Sequence, residues 1–262
     1  MSKVVVVTGA SSGIGLAIAQ NFENLGYTVY SFSRNAPSDE SIHFMPCDVS
    51  DFESVEHAFS SLIDQEGEID ILVNNAGMGI SGAIEYAPQQ DIKRIVDVNL
   101  LGVVNCCQVA LPYLRESKGM ILNISSLGAE FTIAFQAMYS ATKSAVLAFS
   151  TALRNEVRPC GVRVSCLLPG DVKTDFTKNR IKKETPETVY SQREKRSVAY
   201  MEKCEQSGMP ASKIAKKVVK ICNKKHPPVS FTVGVQYKLA RFAYKILPQK
   251  LVNKILYSMY GK

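Results

Sequence analysis

Residues 3–8 (KVVVVT) are a β-branched run that ends directly in Gly9-Ala10-Ser11-Ser12-Gly13-Ile14-Gly15. Apolar residues then recur at helical spacing (Ile14, Leu16, Ala17, Ile18, Phe22, Leu25) until Gly26, which is placed to stop a helix. Strand, glycine turn and helix in this order build an anion site, because glycines let the backbone come close and the first free helical N–H groups point at a phosphate. The spacing is G-x-x-x-G-x-G, not the commoner G-x-G-x-x-G. An ordinary tight βα turn is the weaker alternative for this segment taken alone.

The same alternation continues along the chain. Residues 28–32, 42–47, 69–74, 119–125, 162–167 and 229–232 read as further strands, and 50–65, 88–98, 100–116, 137–158 and 211–223 as helices. Apolar strands alternating with helices predict an α/β domain with a doubly wound parallel sheet of about seven strands in three αβα layers. Ligands in such sheets sit beyond the carboxyl ends of the strands, near the point where strand order reverses. No repeat or low-complexity linker interrupts residues 1–262, so one domain is expected.

Within the helix over 137–158, Tyr139 and Lys143 lie four residues apart and share a face. A phenol beside a fixed cation ionises more readily, so the pair predicts a tyrosine able to act as acid and base near neutral pH. Tyr-x-x-x-Lys occurs by chance in many helices. Its surroundings give it weight: Ser125 and Ser126 end the preceding apolar run.

Thr8-Gly-Ala-Ser-Ser-Gly-Ile-Gly15, Asn74-Asn-Ala-Gly77, Asn99, Ser126, Tyr139-x-x-x-Lys143 and Pro169-Gly-Asp-Val-Lys-Thr174 together resemble the short-chain dehydrogenase/reductase family, in its single-domain branch. The resemblance implies a Rossmann-like fold and an oxidoreductase that moves a hydride between a nicotinamide cofactor and a ketone or aldehyde–alcohol pair. It implies that Tyr139 exchanges the proton, that Lys143 lowers the tyrosine pKa and holds the ribose, and that Ser126 stabilises charge on the substrate oxygen. Asn99 would orient a water beside Lys143. Ser125 is the alternative serine, and the family spacing favours Ser126.

For the cofactor, the resemblance implies contacts from Gly9, Ser11, Ser12, Gly13, Ile14 and Gly15 at the phosphates, and from Asn75, Ala76 and Gly77 after the fourth strand. Asp48 and Val49 would lie at the adenine; Pro169, Gly170, Val172 and Thr174 would lie at the nicotinamide. Relatives that prefer NAD carry an acidic residue where this chain has Ser33. Arg34 follows and suits a 2′-phosphate, so NADP(H) is expected over NAD(H). A solvated loop arginine is the other reading of Arg34.

Composition narrows the remaining classes. No apolar run approaches the roughly 20 residues that span a bilayer, and the MSKVVVV start enters a strand directly, so no signal peptide is expected. Seven cysteines without metal spacing suit a reducing cytosol, and three scattered histidines suit no metal site. Twelve lysines and arginines and no acidic residue follow Glu205; since the whole chain is +7, the preceding body is −5. That asymmetry concerns partners more than fold.

Residues 176–207 are long and charged and resemble a substrate lid, with Tyr190, Val198, Tyr200 and Met201 as candidate pocket walls. Residues 237–262 read as a basic amphipathic segment divided at Pro248, with Lys238, Arg241 and Lys245 opposite Leu239, Phe242 and Ile246. Three uses of that segment stay open: peripheral membrane contact, cover for a lipophilic substrate, or packing on a partner subunit. A homodimer or homotetramer is expected, although the apolar faces of 102–114 and 145–153 suit the core as well. No nucleic-acid module is visible. The rival reading is a cofactor-binding regulator or membrane-surface protein on the same fold, which would need no proton donor. Cytoplasmic and membrane-peripheral placements both remain.

Overall fold

A computed structural model describes residues 2–182 and 187–261. Seven parallel strands form one sheet: β1 (Val4–Thr8), β2 (Thr28–Ser33), β3 (His43–Pro46), β4 (Ile71–Asn74), β5 (Met120–Ile124), β6 (Arg163–Leu167) and β7 (Ser230–Phe231). Their order is β7-β6-β5-β4-β1-β2-β3, so the winding reverses between β1 and β4. The predicted doubly wound sheet is therefore present.

The valine run of β1 explains the layering. Val4 and Val6 join one core with Phe59 and Leu62 of α2 (Phe52–Glu66), Val103 and Cys106 of α4 (Gly102–Glu116) and Val146 of α5 (Ala137–Val157). Val5 and Val7 face the other way, onto Ile18 and Phe22 of α1 (Gly13–Glu23) and Ile214 and Val218 of α8 (Ala211–Cys222). Alternating residues on a strand buried on both faces must all be apolar. Each fully buried Phe or Leu contributes about 1.5–3 kcal/mol relative to exposure.

Where prediction and structure differ, the cause is local. The helices predicted at 88–98 and 100–116 are joined: α3 (Gln89–Val96) runs through a π-turn, Asp97–Leu101, into α4. The joined helix of 28 residues is long and apolar enough, by length and composition, to cross a bilayer, contrary to expectation. Its Cys106, Cys107, Ala110 and Leu114 nevertheless pack in the sheet core. β7 is one residue shorter than predicted at each end, although the Val229 carbonyl still accepts the Cys166 N–H at 3.0 Å.

The lid-like segment is only partly as expected. Residues 183–186 of it lie outside the described residues. The rest carries α6 (Phe176–Asn179) and α7 (Ser191–Gln206). Two short strand pairs that the sequence did not announce hold its ends: Ile80–Ser81 with Ile181–Lys182, and Val172–Lys173 with Met209–Pro210. Ion pairs Arg180–Glu205 and Lys182–Glu202 fasten it to α7.

The C-terminal segment folds as α9 (Val235–Ile246) and α10 (Gln249–Leu256), broken at Pro248 as predicted, and ends in a π-turn, Tyr257–Gly261. Arg241 corrects the sequence reading. It does not belong to a free basic face: its guanidinium grips the Glu130 carboxylate at 2.8–3.0 Å and reaches Ser230 Oγ at 2.7 Å.

Candidate active site

At the carboxyl edge of the sheet, where winding reverses, lies a cavity of about 930 Å³. The glycine turn after β1 forms one wall. Gly9 and Gly13 both have left-handed backbone (φ +65° and +59°), and a Cβ at Gly9 would meet Ala76 Cα at 2.9 Å. Thr8 Oγ1 accepts the backbone N–H groups of Asn75 and Ala76, each at 2.9 Å, and the Asn75 amide donates to the Thr8 and Gly9 carbonyls. The β4 loop is thus clamped to the turn. Ser12 caps α1 without a side-chain hydrogen bond, and Ser11, Ser12, Gly13 and Ile14 line the cavity. Those helical N–H groups suit a phosphate. Thr8 was visible in the motif, but its clamping role was not.

At the next stretch of wall stand Ser33, Arg34, Asn35, Asp48 and Val49. Ser33 Oγ donates to the Asn35 carbonyl at 2.8 Å, so it shapes the turn after β2. Burial pushes the Asp48 carboxyl up, but the Ser50 hydroxyl and N–H and the charges of Arg34 and Arg94 outweigh it, and its pKa is lowered. Arg94, on the last turn of α3, also lines the cavity. Sequence reading missed this second cation, since nothing in a surface helix pattern says which lysine or arginine turns inward.

Ser126, Tyr139 and Lys143 come together behind this wall. Ser125, buried, donates its hydroxyl to the Lys143 carbonyl at 2.7 Å and is committed to holding α5. Ser126 follows β5, accepts the Gly128 N–H at 3.0 Å and hydrogen-bonds with Tyr139. Lys143 is buried; its Nζ donates to the Ile124 carbonyl at 3.0 Å and lies 6.0 Å from the Tyr139 ring centre. Burial lowers the Lys143 pKa to about 8.

The tyrosine departs from expectation. Its pKa is raised, because burial outweighs the Ser126 hydrogen bond and the Arg180 charge that pull it down, and the Glu205 and Asp171 charges push it further up. Lys143 points at a carbonyl instead of holding a phenolate. Asn99 sits buried in the π-turn, where its Oδ1 accepts the Met78 N–H at 2.8 Å and its Nδ2 donates to the Met78 carbonyl at 2.9 Å and to Thr142 Oγ1 at 3.2 Å. It fixes the loop beside Gly77.

The remaining cavity wall mixes acid and oil. Val172 and Thr174 line it, and Pro169 and Gly170 lead into them, with Gly170 against the Tyr237 ring. Asp171 shares two hydrogen bonds with Tyr237; burial raises its pKa despite the Tyr237 hydroxyl. Glu205, bonded to Thr177 and Arg180, also lines the cavity. Tyr200 and Met201 are in the wall as expected, whereas Tyr190 and Val198 are not; Tyr190 packs its ring on Tyr86. Ile255, Leu256, Met259 and Tyr260 of the C-terminal segment complete the wall.

The short chain dehydrogenase family model matches residues 3–185, and the chain belongs to that family. A 3-ketodihydrosphingosine reductase of Bacteroides thetaiotaomicron is 38% identical over 99% of this chain and 98% of its own length. Among solved structures, a short-chain dehydrogenase of Streptomyces avermitilis superposes with a TM-score of 0.82 at 27% identity, covering 97% of this chain and 98% of that one. A 3-ketoacyl-(acyl-carrier-protein) reductase of Brucella melitensis, complexed with NADH, gives 0.75 at 26% identity over 88% and 96%. The protein is an oxidoreductase of this family, whose fold binds a nicotinamide cofactor.

Proposed function

We propose that the protein is an NADP(H)-dependent reductase of a lipophilic ketone that carries a cationic amine beside the carbonyl, with a 3-keto sphingoid base as the fitting case. The observation that carries this is the cavity's composition: Ser126, Tyr139 and Lys143 beside an apolar C-terminal wall and two carboxylates, Asp171 and Glu205. An alkyl chain suits Ile255, Leu256 and Met259; an ammonium suits Asp171. The likeness to the Bacteroides reductase supports the same substrate class.

The dinucleotide would suit the glycine turn, where bare helical N–H groups would receive its phosphates, and Arg34 and Arg94, which line the same cavity, would supply cations for a 2′-phosphate. When bound, the nicotinamide supplies the hydride. Tyr139 then gives its phenol proton to the substrate oxygen, with Ser126 hydrogen-bonding the same oxygen. The raised tyrosine pKa keeps the phenol protonated, the form that reduction needs. Lys143, titrating at about 8, can return a proton to it. Both ends of the Asn99 amide are engaged, which makes it a positioning residue. Placement in the cytoplasm, assembly as a dimer or tetramer, and one domain across 1–262 belong to the same reading.

Two measurements test it. NADPH oxidation should be faster with 3-ketodihydrosphingosine than with an amine-free ketone of equal chain length, and Asp171→Asn should raise KM for the amino ketone alone by about tenfold or more. Equal loss on both ketones would remove the amine contact. Arg34→Asp should weaken NADPH by about a hundredfold relative to NADH. An unchanged ratio in steady-state kinetics would end the NADP(H) assignment.

A further inference from the structure

The outer face of α9 takes no part in the chemistry above. On α9, Val235, Leu239, Phe242 and Ile246 follow one another at spacings of four, three and four, and all are 63–70% exposed. That spacing puts them on one stripe. Leu251 and Ile255 of α10 and Tyr257 and Met259 beyond it extend the exposed apolar surface.

Beside the stripe lies an open groove of about 520 Å³ whose lining includes Ile221, Phe231 and Phe242. Lys217, Lys224, Lys238 and Lys245 line it. None of the four forms an ion pair among the described residues. Burial lowers the Lys217 pKa, and repulsion from Lys238, Lys220 and Lys224 adds to it. Arg241, which also lines the groove, is paired with Glu130. Lysines crowded beside exposed apolar side chains, and without ion pairs among the described residues, suit an anionic partner that also has an oily layer.

We infer that the α8–α9–α10 face docks on an anionic bilayer, with Leu239, Phe242 and Ile246 entering the headgroup–acyl boundary and the groove lysines lying among lipid phosphates. A second copy of the chain fits this face worse, since a two-fold contact would press the same lysines together. Ile255 and Met259 are both exposed and part of the active-site cavity wall, so the docked face carries the cavity rim. A lipophilic substrate would then reach Tyr139 without crossing water. The docking inference goes beyond the substrate proposal and stands without it.

The test is co-sedimentation of the full-length protein with vesicles of phosphatidylcholine alone or mixed with phosphatidylglycerol. Binding to the anionic vesicles at low salt, weakened at high salt, is the expected result. Phe242→Ser with Leu239→Ser, and separately Lys238→Glu with Lys245→Glu, should each lower partitioning about tenfold or more, with the thermal melt and NADPH binding unchanged. Failure to pellet with anionic vesicles overturns the inference, as does equal binding by both variants. Light scattering that finds an oligomer dissolved by Phe242→Ser, without vesicle binding, assigns the face to a second copy instead.

Discussion

Tyr139→Phe should lower kcat for ketone reduction by on the order of 10²–10⁴-fold, the usual weight of a positioned acid, and leave NADPH binding nearly unchanged. The substitution removes one oxygen and keeps the ring, which lies 5.9 Å from the Phe176 ring and below the Lys143 ammonium. Packing is therefore preserved, and the lost atom is the one that gives the proton. NADPH fluorescence on titration reads binding, and single-turnover absorbance reads the chemical step. The pH profile adds a second readout. Because burial raises the tyrosine pKa, the wild-type reduction should not fall through neutral pH from loss of the phenol proton; its decline belongs on the alkaline side. Retention of most of the rate in the Phe variant would move the donor role elsewhere, and the Asp171 carboxyl, itself raised by burial, would be the next group to replace.

What the sequence made legible was whatever depends on neighbours in the chain. The β1 valines and the glycines after them announce a buried strand and a phosphate turn because both rules are local. Tyr139 and Lys143 are legible by helical spacing, and Ser126, over Ser125, by the family resemblance. What stayed hidden depends on contacts across the fold. Helix spacing set Lys238, Arg241 and Lys245 on one face alike, yet Arg241 meets Glu130, 111 residues away, and becomes a half-buried strut. The π-turn that directs the Asn99 amide at the Met78 backbone is likewise absent from the helix pattern. The tyrosine shift is hidden for the same reason: Lys143 is a neighbour along the helix, while the burial that raises the Tyr139 pKa is a property of the assembled cavity. Asp171 and Glu205 lie 34 residues apart in sequence and meet only because Val172–Lys173 pairs with Met209–Pro210.

Lys143→Met should abolish most turnover and yet stabilise the protein. The ammonium is buried, and its pKa falls from 10.5 to about 8, so the fold holds a charge it disfavours. Each pKa unit is worth about 1.4 kcal/mol, which bounds the cost near 3 kcal/mol below pH 8. Losing the Nζ hydrogen bond to the Ile124 carbonyl offsets about 1 kcal/mol of any gain. A net gain of roughly 1–3 kcal/mol at pH 7 is expected, of the kind seen when a functional group is removed from a strained site. The sign with pH follows from proton linkage. Below pH 8 the lysine is protonated in both folded and unfolded chains, and the penalty is complete. Between about 8 and 10.5 the unfolded chain binds more protons than the folded one, so wild-type stability rises with pH and the variant's advantage shrinks. Urea unfolding of both proteins at pH 7 and pH 10 measures that difference. An advantage that does not narrow between the two would mean that the Lys143 charge is not strained by burial, and the proton-return role assigned to it would fall with it.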